Sequence, residues 1–387
     1  MNKVLLHLVL IEGIGAAVVF KLQRVLPFEQ FDRLYRWSKQ DFMHKAGLSE
    51  KIAELLVHGL FDTSALDREL GLIHQHNIRW VTLDQDEYPE CLRNTHLPPL
   101  VLYWRGADLS VLDNSIAIVG SRMANAYGQN FIDTHVPELV AAGWCIVSGG
   151  AIGADTLAHR ATLASRGVTC AVIGAGLLVP YPASNTQLFD TIVKRGGIVM
   201  SPFPLTMKAL PGNFPARNRI ISGLSQATVV VQAAIKSGAL ITAFYALEQG
   251  REVCAVPGPL HDPLSAGCHA IIREGAVLVT SAQDILAACG DASLFGAHYV
   301  DVQATHNESL TDNVSSQDAQ ASQAPEVSQQ VYPYTDPVMQ ACRAPQRFDD
   351  LCALLGCDEA HLQERLLTLQ LEGFLDQDIM GRWYTLL

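Results

Sequence analysis

Seven short runs of mostly apolar residues, separated by stretches of helical length, dominate the middle of the chain. The runs cover residues 116–119, 144–147, 168–173, 198–200, 227–231, 252–256 and 276–279. Continuous apolar runs of this length are typical of parallel strands that are buried on both faces. The pattern predicts an α/β fold with a doubly wound parallel sheet, whose ligands lie at the carboxyl ends of the strands.

The segment before this sheet has a helical pattern. Residues 1–70 predict a small all-helical domain, with glycine turns at 12–16 and 46–53 that resemble those of a helix-hairpin-helix. Such a turn presents N–H groups to phosphate, but few basic residues lie nearby, so a packing domain of the sterile-alpha-motif type is the better interpretation. Residues 71–295 form the predicted sheet domain. Its first part, residues 72–106, is predicted to be an extended segment that leads into the sheet.

The composition changes after the sheet domain. Residues 296–331 are rich in Ser, Gln, Asn, Asp and Ala, which predicts a flexible linker. Residues 332–387 regain a pattern of two helices and a hairpin, which predicts a small winged-helix-like domain. Its last forty residues carry eight acidic and two basic side chains, a balance that favours contact with a protein over DNA reading.

Charge and cysteine content narrow the class of protein. The net charge is −12 and the pI is near 5.5, so any nucleic-acid site must be a local basic pocket and not a broad basic surface. Nine cysteines include no C-x-x-C pair, which is typical of reduced thiols in a cytoplasmic protein. The apolar start of the chain reads better as a folded helix than as a signal peptide, and no other run predicts a membrane span.

Loops at the predicted strand ends carry the candidate chemistry. Glycines that allow close backbone approach are combined there with hydroxyl and cationic side chains, a composition that suits phosphate. These residues are Gly120, Ser121 and Arg122 after the first strand, Gly149, Gly150 and Gly153 after the second, and Lys236, Ser237 and Gly238 after the fifth. Their convergence is stronger than any single glycine turn, for which a tight turn without ligand is the simpler interpretation.

The segment FPARNRIISGLS at 214–225 concentrates further anion-binding groups at a helix start. Arg217 and Arg219 are about 200° apart around a helix, so we expect one to contact phosphate and the other an internal carboxylate. Asp155 is a candidate for that carboxylate or for a helix cap. His159 follows one turn later and is interpreted as structural support. Phe214 could stack on a base or be a core aromatic.

The chain lacks the sequence motifs of several enzyme classes. The chain has no Walker A motif, no dinucleotide-binding glycine spacing, no zinc-type or magnesium-type ligand cluster and no nucleophile elbow. The site can hold phosphate without evident machinery to cleave it. We therefore expect a binding protein that is not an enzyme and that uses neither a metal nor a cofactor.

These segments resemble the DNA-processing protein A family (DprA, also called Smf). The matching motifs lie at 117–122, 148–159, 181–185, 214–225, 237–242 and 256–258. The resemblance implies a Rossmann-like DNA-binding domain and adds Asn185, Asn218 and Thr242 to the candidate site. It also implies a homodimer formed through this domain, which binds single-stranded DNA and loads RecA recombinase during natural transformation.

Four positions depart from the family pattern. Ile152 stands where arginine is usual, Ala183 where a cation is frequent, and Pro202 and Gln232 replace glutamates. The two missing cations predict weaker phosphate contacts. Two alternatives remain at this stage. One is a nucleotide-processing enzyme of the lysine-decarboxylase-like phosphoribohydrolase type, in which Glu248 would have to serve as the catalytic glutamate. The other is a protein scaffold without nucleic-acid binding.

Overall fold

A computed structural model describes residues 3–290, 337–342, 348–355, 362, 366, 375–377 and 383–385. The chain separates into two compact units, Met1–Val300 and Asp301–Leu387. Within the described residues, no helix combines the length and the apolar character that crossing a membrane requires.

The first unit begins with a helical layer. Its helices are α1 (Lys3–Leu10), α2 (Ala16–Gln23), a 3-10 segment (Phe28–Arg36), α3 (Lys39–Ala46), α4 (Glu50–Phe61) and α5 (Ser64–Gln75). Ser38 and Asp41 form a capping box at the start of α3, and Gly47 ends that helix with a φ of 61°. Both predicted glycine turns therefore connect helices. The helical layer shares one apolar core with part of the sheet.

The sheet has nine strands, and seven of them are parallel. The strands are β1 (Arg79–Thr82), β2 (Val101–Gly106), β3 (Ser115–Val119), β4 (Cys145–Ser148), β5 (Thr169–Val172), β6 (Ile198–Ser201), β7 (Ala227–Val230), β8 (Glu252–Ala255) and β9 (Val277–Leu278). Their spatial order is β1-β2-β6-β5-β4-β3-β7-β8-β9, with β1 and β2 antiparallel at one edge. The seven predicted strands are confirmed. The segment predicted as an extended entry adds the two antiparallel strands.

Helices cover both faces of the sheet. They are α6 (Glu90–Arg93), α7 (Ala126–Ala141), α8 (Ala154–Ala164), α9 (Thr186–Lys194), α10 (Asn213–Leu224), α11 (Gly238–Glu248), α12 (Ala266–Arg273) and α13 (Ala282–Ala288), with 3-10 turns at Leu109–Leu112 and Ala183–Asn185. Side chains of β3 alternate between two cores: Ala117 and Val119 pack in one, Ile116 and Ile118 in the other. The doubly wound α/β fold is confirmed.

The second unit contains α14 (Pro337–Ala341), α15 (Phe348–Leu355) and an antiparallel pair formed by β10 (Leu375–Gln377) and β11 (Trp383–Thr385). Buried Leu351, Leu362 and Leu366 contribute to its own small core. The whole predicted linker, 296–331, lies outside the described residues, as do the connections within the predicted winged helix, so both remain predictions.

Candidate nucleic-acid interface

The loops of the candidate site meet at the carboxyl edge of the sheet. The strand order reverses between β3 and β7, which pair in parallel from Ile116 opposite Ala227 to Val119 opposite Val230. The loop after β3 binds the loop after β7 through the Ser121 N–H and the Gln232 carbonyl, 2.6 Å apart. In doubly wound sheets, the crevice at such a reversal is the usual place for a ligand.

The loop after β4 owes its shape to glycine. Gly153 has a φ of +80°, and a Cβ there would lie 2.4 Å from the Ser121 carbonyl oxygen. A Cβ at Gly149 would lie 2.5 Å from the Arg217 guanidinium. A side chain at either position would therefore push apart the β3 and β4 loops or displace Arg217, so the glycines pack the site tightly.

Arg217 is the buried cation of this edge. Its side chain is 5% exposed, and its guanidinium donates to the carbonyls of Gly149 and Val172, the second at 2.6 Å. Its Nε donates to the Asn218 side chain at 3.1 Å. Burial lowers the pKa of Arg217 to about 10, and the neighbouring Asp155 opposes this shift. Arg217 therefore ties the ends of β4 and β5 to α10.

Asp155 and His159 line the interior behind Arg217. Burial raises the pKa of the Asp155 carboxyl, while the Arg217 charge and the Ala151 N–H, 3.2 Å away, oppose the rise. His159 is fully buried, and its Nδ1 lies 2.7 Å from the Thr169 hydroxyl. Burial lowers the pKa of His159 to about 3, with Arg217 adding to the shift. A neutral, buried histidine is consistent with the predicted supporting role.

Arg122, Phe214 and Tyr181 form the accessible part of the site. The Arg122 guanidinium carbon lies 5.6 Å from the centre of the Phe214 ring. The Tyr181 ring is 5.8 Å from Phe214 and tilted by 56°, and Tyr181 is 47% exposed. The absence of a side chain at Gly174 lets the Phe214 ring approach the end of β5, since a Cβ there would be 3.0 Å from the ring. A cation and two aromatic rings are thus presented side by side.

A small cavity of about 60 Å³ marks this cluster. It is lined by Arg122, Gly149, Ala151, Ile152, Tyr181, Pro182, Phe214 and Arg217. Four of these were predicted as site residues: Arg122, Gly149, Phe214 and Arg217. No carboxylate is among the described residues of this lining. The cavity is therefore suited to an anionic or aromatic group.

Other predicted residues brace the loops. The Asn185 side chain donates to the Gly150 carbonyl at 2.9 Å and to the Thr156 hydroxyl at 2.8 Å. Gly120 lies so close to the loop after β7 that a Cβ would be 3.1 Å from the Gln232 carbonyl. These contacts hold the backbone that surrounds the cavity.

The remaining predicted residues lie outside the cavity lining. Arg219 is half-buried, with its guanidinium carbon 5.0 Å from the centre of the Tyr245 ring on α11. Ser237 caps α11 through the Ala239 N–H, Thr242 is buried in that helix, and the Gly238 carbonyl accepts from Asn218 at 3.3 Å. Lys236 is exposed in the loop before α11. The two arginines of the motif therefore occupy different surroundings, as their spacing predicts.

Residues 79–290 match the model of the family described as DNA recombination-mediator protein A. The chain belongs to this family. The protein Smf of Escherichia coli is 38% identical over 258 residues, which are 67% of each chain. The DNA processing protein DprA of Bacillus subtilis is 37% identical over 283 residues, 70% of this chain and 94% of that one. The X-ray structure of DprA from Streptococcus pneumoniae matches with a TM-score of 0.65 at 34% identity, covering 74% of this chain and 98% of that one.

Two departures from the family pattern have visible structural roles. Ile152 is 50% exposed on the cavity rim, where it adds apolar surface in place of a cation. Gln232 is 1% exposed and bonds both ways with Asn125: its Oε1 accepts from the backbone N–H at 3.1 Å and its Nε2 donates to the side chain at 3.0 Å. This neutral amide therefore holds the start of α7.

Tyr181 lines the candidate site, but sequence reasoning did not include it among the candidate residues. It appeared there only as part of a matching motif at 181–185, although an exposed aromatic before proline in a loop at a strand end is a signal for a stacking surface. A larger groove of about 1210 Å³ lies at the opposite, amino-terminal edge of the sheet, between β1 and the starts of β7 and β8. It contains none of the predicted site residues.

Proposed function

We propose that this chain binds single-stranded DNA at the cluster formed by Arg122, Phe214 and Tyr181. The observation that carries this proposal is the exposed cation beside two aromatic rings at the carboxyl edge of the sheet. Aromatic rings stack on unpaired bases with little dependence on sequence, and an arginine beside them neutralises a phosphate. Membership of a DNA recombination-mediator family supports the same ligand class.

The charge balance favours single strands over duplex. With a net charge of −12, the protein has a local cationic site in place of the broad basic surface that nonspecific duplex binding requires. Stacking also needs bases that are free of a partner strand. We therefore expect oligo-dT to bind more tightly than a duplex of the same length.

We further propose that the site binds without catalysing a reaction, and the composition of the same lining supports this. The described residues of the cavity supply no carboxylate to act as a general acid or base, and Asp155 behind them is buried. Glu248 ends α11, and the helix rise puts it about 15 Å from the first turn at the carboxyl edge. This distance disfavours the phosphoribohydrolase alternative.

The family resemblance supports a proposal about the partners of this chain. We propose that the protein acts in the cytoplasm as a homodimer formed through the sheet domain, and that it transfers DNA to RecA during natural transformation. An apolar edge supports the dimer: β9 is the last strand of the sheet, and its Val277 and Leu278 are 37% and 50% exposed. The acidic C-terminal unit remains a candidate for contact with another protein.

The direct test is fluorescence anisotropy with labelled oligo-dT and matched duplex. Wild type, Arg122→Ala and Arg195→Ala are compared across a salt series. Arg195 is an exposed arginine at the end of α9, so the control removes the same charge from the opposite edge of the sheet. We expect weaker single-strand binding for Arg122→Ala alone, with a salt slope smaller by about 0.7. Equal effects of both variants, or no binding at low salt, would refute the proposal.

A further inference from the structure

A buried carboxylate joins the helical layer to the sheet domain. Glu69 on α5 is 2% exposed, and its Oε1 accepts the backbone N–H of Leu205 at 2.8 Å. Leu205 belongs to the loop that follows β6. Burial raises the pKa of the Glu69 carboxyl, and the Leu205 N–H opposes that rise. The bond replaces water for a buried N–H that has no strand partner.

The loop held by Glu69 is itself bonded to the loop that carries Tyr181. The Leu205 carbonyl accepts the Leu178 N–H at 3.0 Å, and the Met207 carbonyl accepts the Gly176 N–H at 2.8 Å. The two loops approach so closely that a Cβ at Gly176 would lie 2.2 Å from the Leu205 oxygen. A shift of one loop must therefore move the other.

The same loop is bonded to the start of α10, which carries Phe214. The Asn213 side chain donates to the Lys208 carbonyl at 3.4 Å and to the Gly174 carbonyl at 3.2 Å. Gly174 in turn lies against the Phe214 ring. The loop after β6 thus contacts the supports of both aromatic rings.

We propose that Glu69 is a positioning residue that fixes the spacing of Tyr181 and Phe214 for stacking on bases. The inference rests on the proposed single-stranded-DNA site and adds a role for the helical layer, which itself contributes no residue to the described lining of the cavity. Glu69 acts through the Leu205 N–H and the loop after β6, and it touches no DNA.

The test compares Glu69→Leu, which removes the acceptor, with Glu69→Gln, which retains a carbonyl oxygen for Leu205. Anisotropy with oligo-dT is measured for each in the wild-type and Phe214→Leu backgrounds. In the wild-type background we expect Glu69→Leu to bind about tenfold more weakly, and Glu69→Gln to stay within about twofold of wild type. In the Phe214→Leu background the loss should largely vanish, because the ring that Glu69 positions is absent.

Two further measurements separate positioning from general stability. Ile73→Ala shortens another buried side chain of α5 and should leave DNA binding unchanged at a temperature where the protein is folded. Hydrogen exchange in the DNA-free protein should become faster for Glu69→Leu in residues 176–182 and 205–214, but not for Ile73→Ala. If wild type fails to bind oligo-dT, the proposed function is refuted, and the hydrogen-exchange comparison alone tests whether Glu69 holds the two loops in place. Unchanged exchange in both loops, or equal binding losses for Leu and Gln, would overturn the inference.

Discussion

Replacing Ile152 by arginine restores a cation at the rim of the proposed DNA site. Ile152 is 50% exposed and lines the cavity beside Arg122. It is not among the residues with positive φ, so arginine can adopt its backbone conformation. A substitution at such an exposed position should change the free energy of unfolding by no more than about 0.5 kcal/mol. The change therefore tests the site by a gain of binding, which misfolding cannot mimic.

The expected gain follows from counterion release. One additional phosphate contact on a single strand steepens the dependence of log K on log salt by about 0.7. Lowering the salt from about 200 to about 50 mM should then improve the affinity of Ile152→Arg by a further factor of about 2.6 relative to wild type. Repulsion from Arg122 reduces the absolute gain in affinity. It leaves the salt slope unchanged, because the slope depends on the number of counterions released.

The assay is anisotropy with oligo-dT at four salt concentrations. Phe61→Arg is the matched control, because Phe61 is 91% exposed at the end of α4 and the variant gains the same charge outside the site. A steeper slope for Ile152→Arg alone supports the placement of DNA. An unchanged slope, or the same change in both variants, would refute the reasoning.

Three further predictions concern stacking, the buried cation and pH. Phe214→Leu should weaken oligo-dT binding by about 1 to 3 kcal/mol without changing the salt slope, because stacking releases no ions. Arg217→Met leaves Asp155 buried without its opposing charge, so we expect urea denaturation to reveal a loss of about 3 to 5 kcal/mol. Because the folded pKa of His159 is lowered to about 3, the unfolded chain binds the proton first, and stability should fall as pH drops below about 6.5, by about 2 to 3 kcal/mol at pH 4.5. His159→Asn, which retains a donor for Thr169, should remove that part of the pH dependence.

Controls for these predictions come from the same elements. Arg219→Met changes a half-buried arginine on α10 and should cost less than about 1 kcal/mol, so equal losses in the two arginine variants would contradict the buried role of Arg217. A steeper or shallower salt slope for Phe214→Leu would contradict stacking. If the urea midpoint changes with pH in the same way for wild type and His159→Asn, this result would contradict a neutral His159.

The sequence pattern predicted the parallel sheet and the glycine-rich loops at its carboxyl edge because both depend on local signals. Buried strands appear as apolar runs, and glycine with polar side chains follows them wherever loops must pack closely. The two arginines of 217–219 also behave as helix geometry requires: Arg217 lies inside beside Asp155, and Arg219 lies over Tyr245. Neighbours within one element could therefore be placed without coordinates.

Contacts between distant segments could not be predicted in this way. The segment 79–106 forms two antiparallel strands because β2 pairs with β6, almost one hundred residues later, and no local pattern specifies that partner. The hydrogen bond between Glu69 and Leu205 spans 136 residues and uses a backbone N–H as donor. Every residue type except proline has this group, so the sequence gives no signal for the bond. The placement of Tyr181 beside Phe214 likewise depends on loops whose relative positions are set by tertiary packing.

The most direct test of the proposed DNA site is ultraviolet crosslinking of the full chain to oligo-dT, followed by mass spectrometry of the digested peptides. Bases stacked on the proposed rings should give adducts in peptides that contain Tyr181 or Phe214, and an excess of unlabelled oligo-dT should remove them. Adducts confined to other segments, such as residues 337–387 or the groove beside β1, would place DNA elsewhere and contradict the account.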